Sequence, residues 1–267
     1  MTTDFDTYER DLWAGRAEAY ERVFAKLTAH MVGPLLDAAS VGAGTRVLDV
    51  GAGPGIVSAE ATRRGAEVSA LDADPGMVET ARRNVPGLDV RVAVLPDLPF
   101  EEGTFDAVVG NFVINHVGRP GEVIGELRRM LRPGGQLALT CWQMPGGVPT
   151  VVADAMEEAG VVRPDDIPEP PFQEHAERGA FERLVAGAGF PGATAVDVKW
   201  DHRVDPDLWW EGTMARVGTN GVILGRQDEA TLLRVRAAFD RLVAVYVGDD
   251  GLATLPAHAL LAHGART

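Results

Sequence analysis

One segment constrains this chain more than any other. It is Leu48-Asp49-Val50-Gly51-Ala52-Gly53-Pro54-Gly55, an apolar run that ends in an acid and then breaks into spaced glycines. Arg46–Val50 reads as a short buried strand, and the residues after Gly55, to about Arg64, read as a helix. A strand passed directly to a helix through a glycine turn is the opening unit of a parallel α/β sheet. Glycine in that turn lets the backbone bend sharply and come close to a ligand with no Cβ in the way.

Two details restrict the ligand. The dinucleotide fingerprint G-x-G-x-x-G would need glycine at position 56, which is Ile56, so the spacing is G-x-G-x-G. Asp49 lies two residues before the first glycine, where its carboxylate would repel a pyrophosphate and attract a cation. A second acid, Asp72, ends the next strand, Glu67–Leu71. A carboxylate there can accept from both hydroxyls of a ribose. A nucleoside with a cationic tail satisfies both acids, and S-adenosylmethionine is such a molecule.

The rest of the chain keeps the alternating rhythm. A helix is expected over Pro75–Asn84, strands over Asp89–Val94 and Phe105–Asn111, and a helix over Gly121–Leu131 that stops at Pro133-Gly134-Gly135. Gln136–Trp142 is a fifth strand. Residues 7–29 carry one long amphipathic pattern with Trp13, Tyr20 and Phe24 near one face, and 31–39 a second helix. Prolines at 145, 149, 164, 168, 170 and 171 interrupt the rhythm over 143–176, which reads as an insertion above the sheet's C-terminal edge. Ala180–Ala188 looks helical, and Thr194–Trp200 is a sixth strand. Leu232, Val235, Phe239, Leu242 and Tyr246 mark an amphipathic helix, and 255–262 a last strand. The expected fold is a Rossmann-like, doubly wound, mainly parallel seven-stranded sheet in a single domain. Residues 1–40 form its helical lid, 41–142 its cofactor-binding core, 143–176 the acceptor-side insertion and 177–267 its remainder.

Over residues 46–142 the sequence resembles the class I methyltransferases, particularly the ubiquinone/menaquinone-biosynthesis-like branch. The segments VLDVGAGPG, LDADPGMVETAR, LPDLPFEEGTFDAVV and ELRRMLRPGGQLALTCW carry the likeness. The resemblance implies S-adenosylmethionine as cofactor and S-adenosylhomocysteine as product. It implies that Asp49, Gly51, Ala52, Gly53 and Gly55 line the methionine moiety, and that Asp72, with Ala73 beside it, holds the ribose. Met77 would lie near the adenine face, although Met77, Val78 and Ala81 equally fit a helix core stripe. Asn111 would approach the amino-acid tail, and Arg16 or Tyr20 on the lid would touch the carboxylate. Members of the family commonly place an acid and a small residue shortly before LPF, where this chain has Val94-Leu95-Pro96-Asp97. The adenine amino group would then lose an acceptor, at about 1 kcal/mol, unless Asp97 replaces it. The Leu95 backbone remains able to reach the ring edge.

The candidate base is His116, just after the fourth strand, because imidazole titrates near neutrality; the alternative is a structural histidine. Trp142, Phe172, Trp209 and Trp210 are candidates for walls around an apolar or aromatic acceptor. The histidines at 30, 175, 202, 258 and 263 form no H-x-H or H-x-x-x-H pair, and Cys141 is the only cysteine, so no metal site is expected. A net charge of −14 repels polyphosphate and acidic membranes. No apolar run approaches the ~18 residues of a membrane span, and the acidic start, with Asp4, Asp6 and Glu9, is unlike a signal peptide. The expected partner is therefore a small-molecule methyl acceptor and the expected compartment the cytoplasm; a homodimer is one candidate assembly, which the sequence leaves open. The expected activity is methyl transfer to O, N or C of that acceptor. The competing readings are a protein that binds S-adenosylmethionine without transferring methyl, and a nicotinamide oxidoreductase, which Ile56 and Asp49 oppose.

Overall fold

A computed structural model describes residues 3–267. The long amphipathic pattern near the N-terminus is cut into pieces: α1 (Asp4–Trp13), α2 (Ala17–Arg22) and α3 (Phe24–Thr28), followed by α4 (Val32–Ala38). The first break falls at Gly15, whose φ of 72° no helix tolerates. Thr3 and Asp6 cap α1 reciprocally, each accepting from the other's backbone N–H.

Next comes the regular part: β1 (Arg46–Val50), α5 (Ile56–Arg63), β2 (Glu67–Asp72), α6 (Pro75–Asn84), β3 (Asp89–Val92) and β4 (Phe105–Gly110). It continues through α7 (Pro120–Met130) and β5 (Leu131–Trp142). The helix α6 begins with Asp74 accepting from Met77 N at 2.8 Å and with proline in its first turn. Pro133-Gly134-Gly135 does not separate helix from strand by a loop, as the sequence suggests. It lies inside β5, where the pairing with β4 jumps from Phe105–Leu131 to Ala107–Gln136, as at a β-bulge.

The insertion is not structureless. It contains α8 (Val151–Glu158) and a 3₁₀ turn at Pro171–His175, followed by α9 (Arg178–Gly187) and β6 (Thr194–Val204). Two short helices that periodicity does not reveal, α10 (Pro206–Met214) and α11 (Gly218–Leu224), precede α12 (Glu229–Val243) and β7 (Ala253–Ala265). Val235 and Phe239 are buried on α12, but Tyr246 lies past its end and is 40% exposed.

The seven strands order as β3-β2-β1-β4-β5-β7-β6. The first five run parallel, and β7 is antiparallel to both β5 and β6. Leu48, Val50, Val108, Leu137 and Leu139 are fully buried, as strands covered on both faces require. Cys141 shares this core, and burial pushes its thiol well above the ordinary range. A separate apolar cluster joins α8, α10, α11 and α12 with the ends of β6 and β7. Because the chain leaves β1 toward β2 on one side and later returns to β4 on the other, the C-terminal ends of β1 and β4 flank a crevice. Open α/β sheets bind ligands in such a crevice.

Candidate active site

A cavity of about 800 Å³ opens at that crevice. Gly51 and Gly53 line it from the turn after β1, Asp72 and Ala73 from the end of β2, Met77 from α6, and Leu95 from the stretch after β3. Asn111, Phe112, Val113 and His116 follow β4, and Trp142 ends β5. The N-terminal helices cover it with Glu9, Trp13, Tyr20, Phe24 and Thr28. Its far side is mixed: Val152 from α8, Trp209 from α10 and Val217 beside α11 are apolar, while Arg163, Glu169, Gln173, Thr213 and Asn220 line it as well.

The glycines there are required by geometry. Gly51 has φ 65°, and a Cβ on it would overlap the Val113 side chain. Gly55 has φ 88° as the N-cap of α5, and a Cβ would sit 3.3 Å from Ala81 of α6. Gly55 and Ala52 therefore shape the turn from behind; neither lines the cavity, in contrast to the sequence expectation. Ala52 is buried and donates from N to Leu71 O at 2.9 Å, which ties the turn to β2.

The two acids play different parts. Asp72 faces the cavity: its Oδ2 accepts from Gly53 N at 2.8 Å and its Oδ1 from Asp74 N at 2.9 Å. Burial raises its pKa, while the N–H groups of Asp74 and Gly53 oppose the shift. A carboxylate has about four lone-pair sites, so both oxygens can still accept from a ligand. Asp49, expected to line the methionine moiety, is only 1% exposed and does not reach the cavity. Its side chain turns under the glycine loop, where Oδ2 accepts from Ser58 Oγ at 2.7 Å and Oδ1 has no partner. Burial pushes Asp49 up to about 7, a shift that the Ser58 hydroxyl opposes. It therefore bears on the site through the loop it anchors at Ser58, not by contact. Asp97, the suggested replacement acceptor for adenine, lines a separate surface depression with Pro96, Leu98 and Pro99.

Asn111 is held at both ends of its amide: Oδ1 accepts from Thr140 Oγ1 at 2.8 Å, and Nδ2 donates to Thr28 O at 3.1 Å. The next residue, Phe112, has φ 57°, a conformation that costs a non-glycine residue of order 1–3 kcal/mol. Its N donates to Thr140 Oγ1 at 2.9 Å, and its ring stacks on Trp142 with centroids 4.1 Å apart. Nothing in the local sequence pattern marks Phe112; for Thr140 the available signal is a hydroxyl inside the apolar run of β5.

His116 pairs through Nδ1 with Glu9 Oε2 at 2.8 Å, and the same oxygen accepts from Trp13 Nε1 at 3.1 Å. The Trp13 ring stands edge-on to both His116 and Tyr20. Tyr20 is held by Thr28, hydroxyl to hydroxyl at 3.1 Å, and burial pushes its phenol up to about 12. Arg16, expected on the same face, points elsewhere, because the break at Gly15 ends the shared helix. It caps α1 instead, donating to Asp11 O at 2.8 Å and to Leu12 O.

Two of the four proposed acceptor residues, Trp142 and Trp209, line the cavity; two do not. Trp210 follows Trp209 on one helix, about 100° around the axis, and packs on Phe239 with Arg236 over its ring. Phe172 turns into the main core against Phe181, leaving Pro170 and Gln173 at the cavity wall.

The cavity fits a cationic nucleoside. Six carboxylates line it (Asp6, Glu9, Asp11, Asp72, Asp74 and Glu169) against two guanidinium groups, Arg10 and Arg163. Among the described residues, no group of three or more His, Cys, Asp or Glu side chains is arranged to hold a metal ion.

Comparison with known proteins agrees with this reading. The methyltransferase-domain family matches residues 48–139. Demethylmenaquinone methyltransferase of Clavibacter sepedonicus is 41% identical over 107 residues, which cover 39% of this chain and 43% of that protein. Ubiquinone biosynthesis O-methyltransferase of Xanthomonas oryzae pv. oryzae is 42% identical over 103 residues, covering 37% and 43%. The matched segment thus spans less than half the length of these relatives. A Bacillus halodurans protein assigned as a methyltransferase superposes with a TM-score of 0.56 at 18% identity, over 88% of this chain and 98% of that one. Haemonchus contortus phosphoethanolamine N-methyltransferase 2, solved with S-adenosylhomocysteine, gives 0.51 at 17% identity, over 89% and 53%. At these identities the likeness to solved structures is one of fold. Over residues 48–139 the chain is thus similar to the methyltransferase-domain family, and its fold is shared with the solved methyltransferases.

Proposed function

We propose that the protein transfers a methyl group from S-adenosylmethionine to O, N or C of a small apolar or aromatic metabolite, with His116 as the base. The observation that carries this reading is a single cavity whose lining joins the glycine turn and Asp72 to an aromatic wall at Trp142 and Trp209, with His116 also on it. Support also comes from the named relatives, which are methyltransferases of quinone biosynthesis over the matched segment.

Gly51 and Gly53 would admit the methionine portion, and Asp72 would accept from the ribose hydroxyls. Met77 and Leu95 would flank the base, while Asn111 and Tyr20 would lie toward the amino-acid tail. Bound S-adenosylmethionine supplies an electrophilic methyl group, so the chemistry asks little of the protein beyond alignment and dryness. Trp13, Tyr20 and Phe24 exclude water from above, and Phe112, Trp142 and Trp209 offer flat apolar faces to an acceptor. The reading extends to a cytoplasmic homodimer that leaves nucleic acid alone, the last because a net charge of −14 repels polyphosphate. No helix among the described residues is long and apolar enough to cross a membrane.

The test is calorimetry with S-adenosylmethionine, S-adenosylhomocysteine and NAD, followed by detection of S-adenosylhomocysteine after incubation with candidate acceptors. Binding of the two sulfur nucleosides and not NAD is expected. His116→Ala should bind them unchanged and lose 10²–10⁴-fold in kcat, the usual worth of a general base. Undiminished turnover would remove His116 from the mechanism.

A further inference from the structure

We propose that Glu9 of the N-terminal helix is a positioning residue that fixes the proton of His116 on Nδ1, leaving Nε2 as the base, and that the acceptor class is therefore one that releases a proton on methylation. This deepens the methyl-transfer reading and rests on it.

The anchor of the pair is Glu9. It is 8% exposed, unusual for a glutamate, and a buried carboxylate needs donors. Two are present on Oε2: Trp13 Nε1 at 3.1 Å and His116 Nδ1 at 2.8 Å. An ionised carboxylate only accepts, and indole N–H only donates, so the hydrogen in the second contact belongs to Nδ1. In a neutral ring the lone pair is then on Nε2, for which no protein partner is found among the described residues. A carboxylate behind one ring nitrogen commonly sets the tautomer of the other in this way.

The helix that brings Glu9 is itself registered against the base. Asp6 Oδ1 accepts from Gly118 N at 2.7 Å, two residues beyond His116. A Cβ at Gly118 would overlap the Thr3 side chain, so α1 can lie this close only against glycine. Docking of α1 thus assembles the Glu9–His116 pair and places Trp13 edge-on to the ring in the same step.

Charge follows the same logic. On transfer, the acceptor X–H bond breaks and its proton goes to Nε2. The electron pair left on X forms the X–CH₃ bond, and the S–CH₃ pair stays on sulfur, leaving neutral S-adenosylhomocysteine. One positive charge disappears from sulfur and one appears on the imidazolium, where the Glu9 carboxylate stabilises it. An acceptor whose lone pair is already free, and which becomes cationic when methylated, has no use for this arrangement.

The test combines ¹⁵N NMR of histidine-labelled protein, bound to S-adenosylhomocysteine at pH 8, with calorimetry. The expected result is one His116 ring with protonated Nδ1 and bare Nε2. Glu9→Leu should lose that preference while binding S-adenosylhomocysteine within about twofold of wild type, and Glu9→Gln, which keeps an acceptor oxygen, should retain it in part. A protonated Nε2 in the wild type, as the other tautomer or as a fixed imidazolium, would overturn the proposal. So would a His116 spectrum unchanged in Glu9→Leu. Failure of S-adenosylhomocysteine to bind at all would instead strike the methyl-transfer reading, since the tautomer can be read in the free protein. With hydroquinone and quinoline as probe acceptors, methylation of hydroquinone is expected. Its kcat should fall about tenfold in Glu9→Leu; preferential methylation of quinoline would refute the acceptor class.

Discussion

The two ends of the cavity are built on different terms. At the glycine turn, ligand-facing groups are backbone or short side chains fixed by neighbouring backbone, as when Gly53 N and Asp74 N both donate to Asp72. At the opposite end the wall is side-chain surface: Trp142 from β5, Val152 from α8 and Trp209 from α10 converge from separate stretches of chain. The first end can barely vary without losing its turn. The second can exchange side chains while the sheet stands, which is how one fold serves many acceptors.

The largest expected effect tests the cofactor end. Asp49 ionises near 3.8 unfolded and near 7 folded. Between those values the unfolded chain gives up a proton that the native state keeps, so native stability falls as pH rises, and above 7 the cost is complete. Asp49→Asn should therefore be more stable than wild type at pH 8, by about 2–4 kcal/mol, and no more stable at pH 4. Urea melts at the two pH values check it; equal differences would mean that the carboxyl is not desolvated.

A matching test sits behind the acceptor wall. His202 is 3% exposed, neither ring nitrogen has a partner, and burial pushes it down to about 4, with His30 and Lys26 adding to the shift. Its sign is opposite to that of Asp49: stability is present above pH 6.5 and is lost as pH falls toward 4, because the unfolded ring takes up the proton first. His202→Phe should remove about 2–3 kcal/mol of this acid sensitivity, read as a flatter dependence of Tm on pH.

Asp72→Ala sharpens the contrast in binding. Losing charge-assisted bonds of 1.5–3 kcal/mol should weaken S-adenosylmethionine binding roughly 10–150-fold by calorimetry, with any effect on acceptor binding secondary. Trp209→Ala should do the reverse, raising the acceptor KM about tenfold, of order 1.4 kcal/mol, at unchanged cofactor affinity. If both variants damaged both ligands alike, the two ends would be a single unit and the contrast would fail.

Legibility in the sequence follows the same division. The parallel core was readable because a strand buried on both faces must be apolar throughout, and Phe105–Gly110 is nearly so. Asp72 was readable because it terminates such a run. Spacing does not place Asp49, since a strand residue's face depends on neighbours it does not reveal; here Ser58 of α5 draws the carboxylate under the loop. Arg16 departs from the face of Tyr20 because Gly15 ends the helix that would align them. Phe172 and Trp210 had the right chemistry but sit one residue away from positions that face the cavity.

From the sequence alone came the alternation of the parallel strands with their helices, the glycine turn after β1 and the cofactor class, all of which depend on residues close together in the chain. Only the tertiary structure decided which side chains share the cavity, and that Glu9 meets His116 across 107 positions. Local periodicity reports which face of an element is buried. What that face is buried against is decided by long-range packing, where chain separation carries no information about distance.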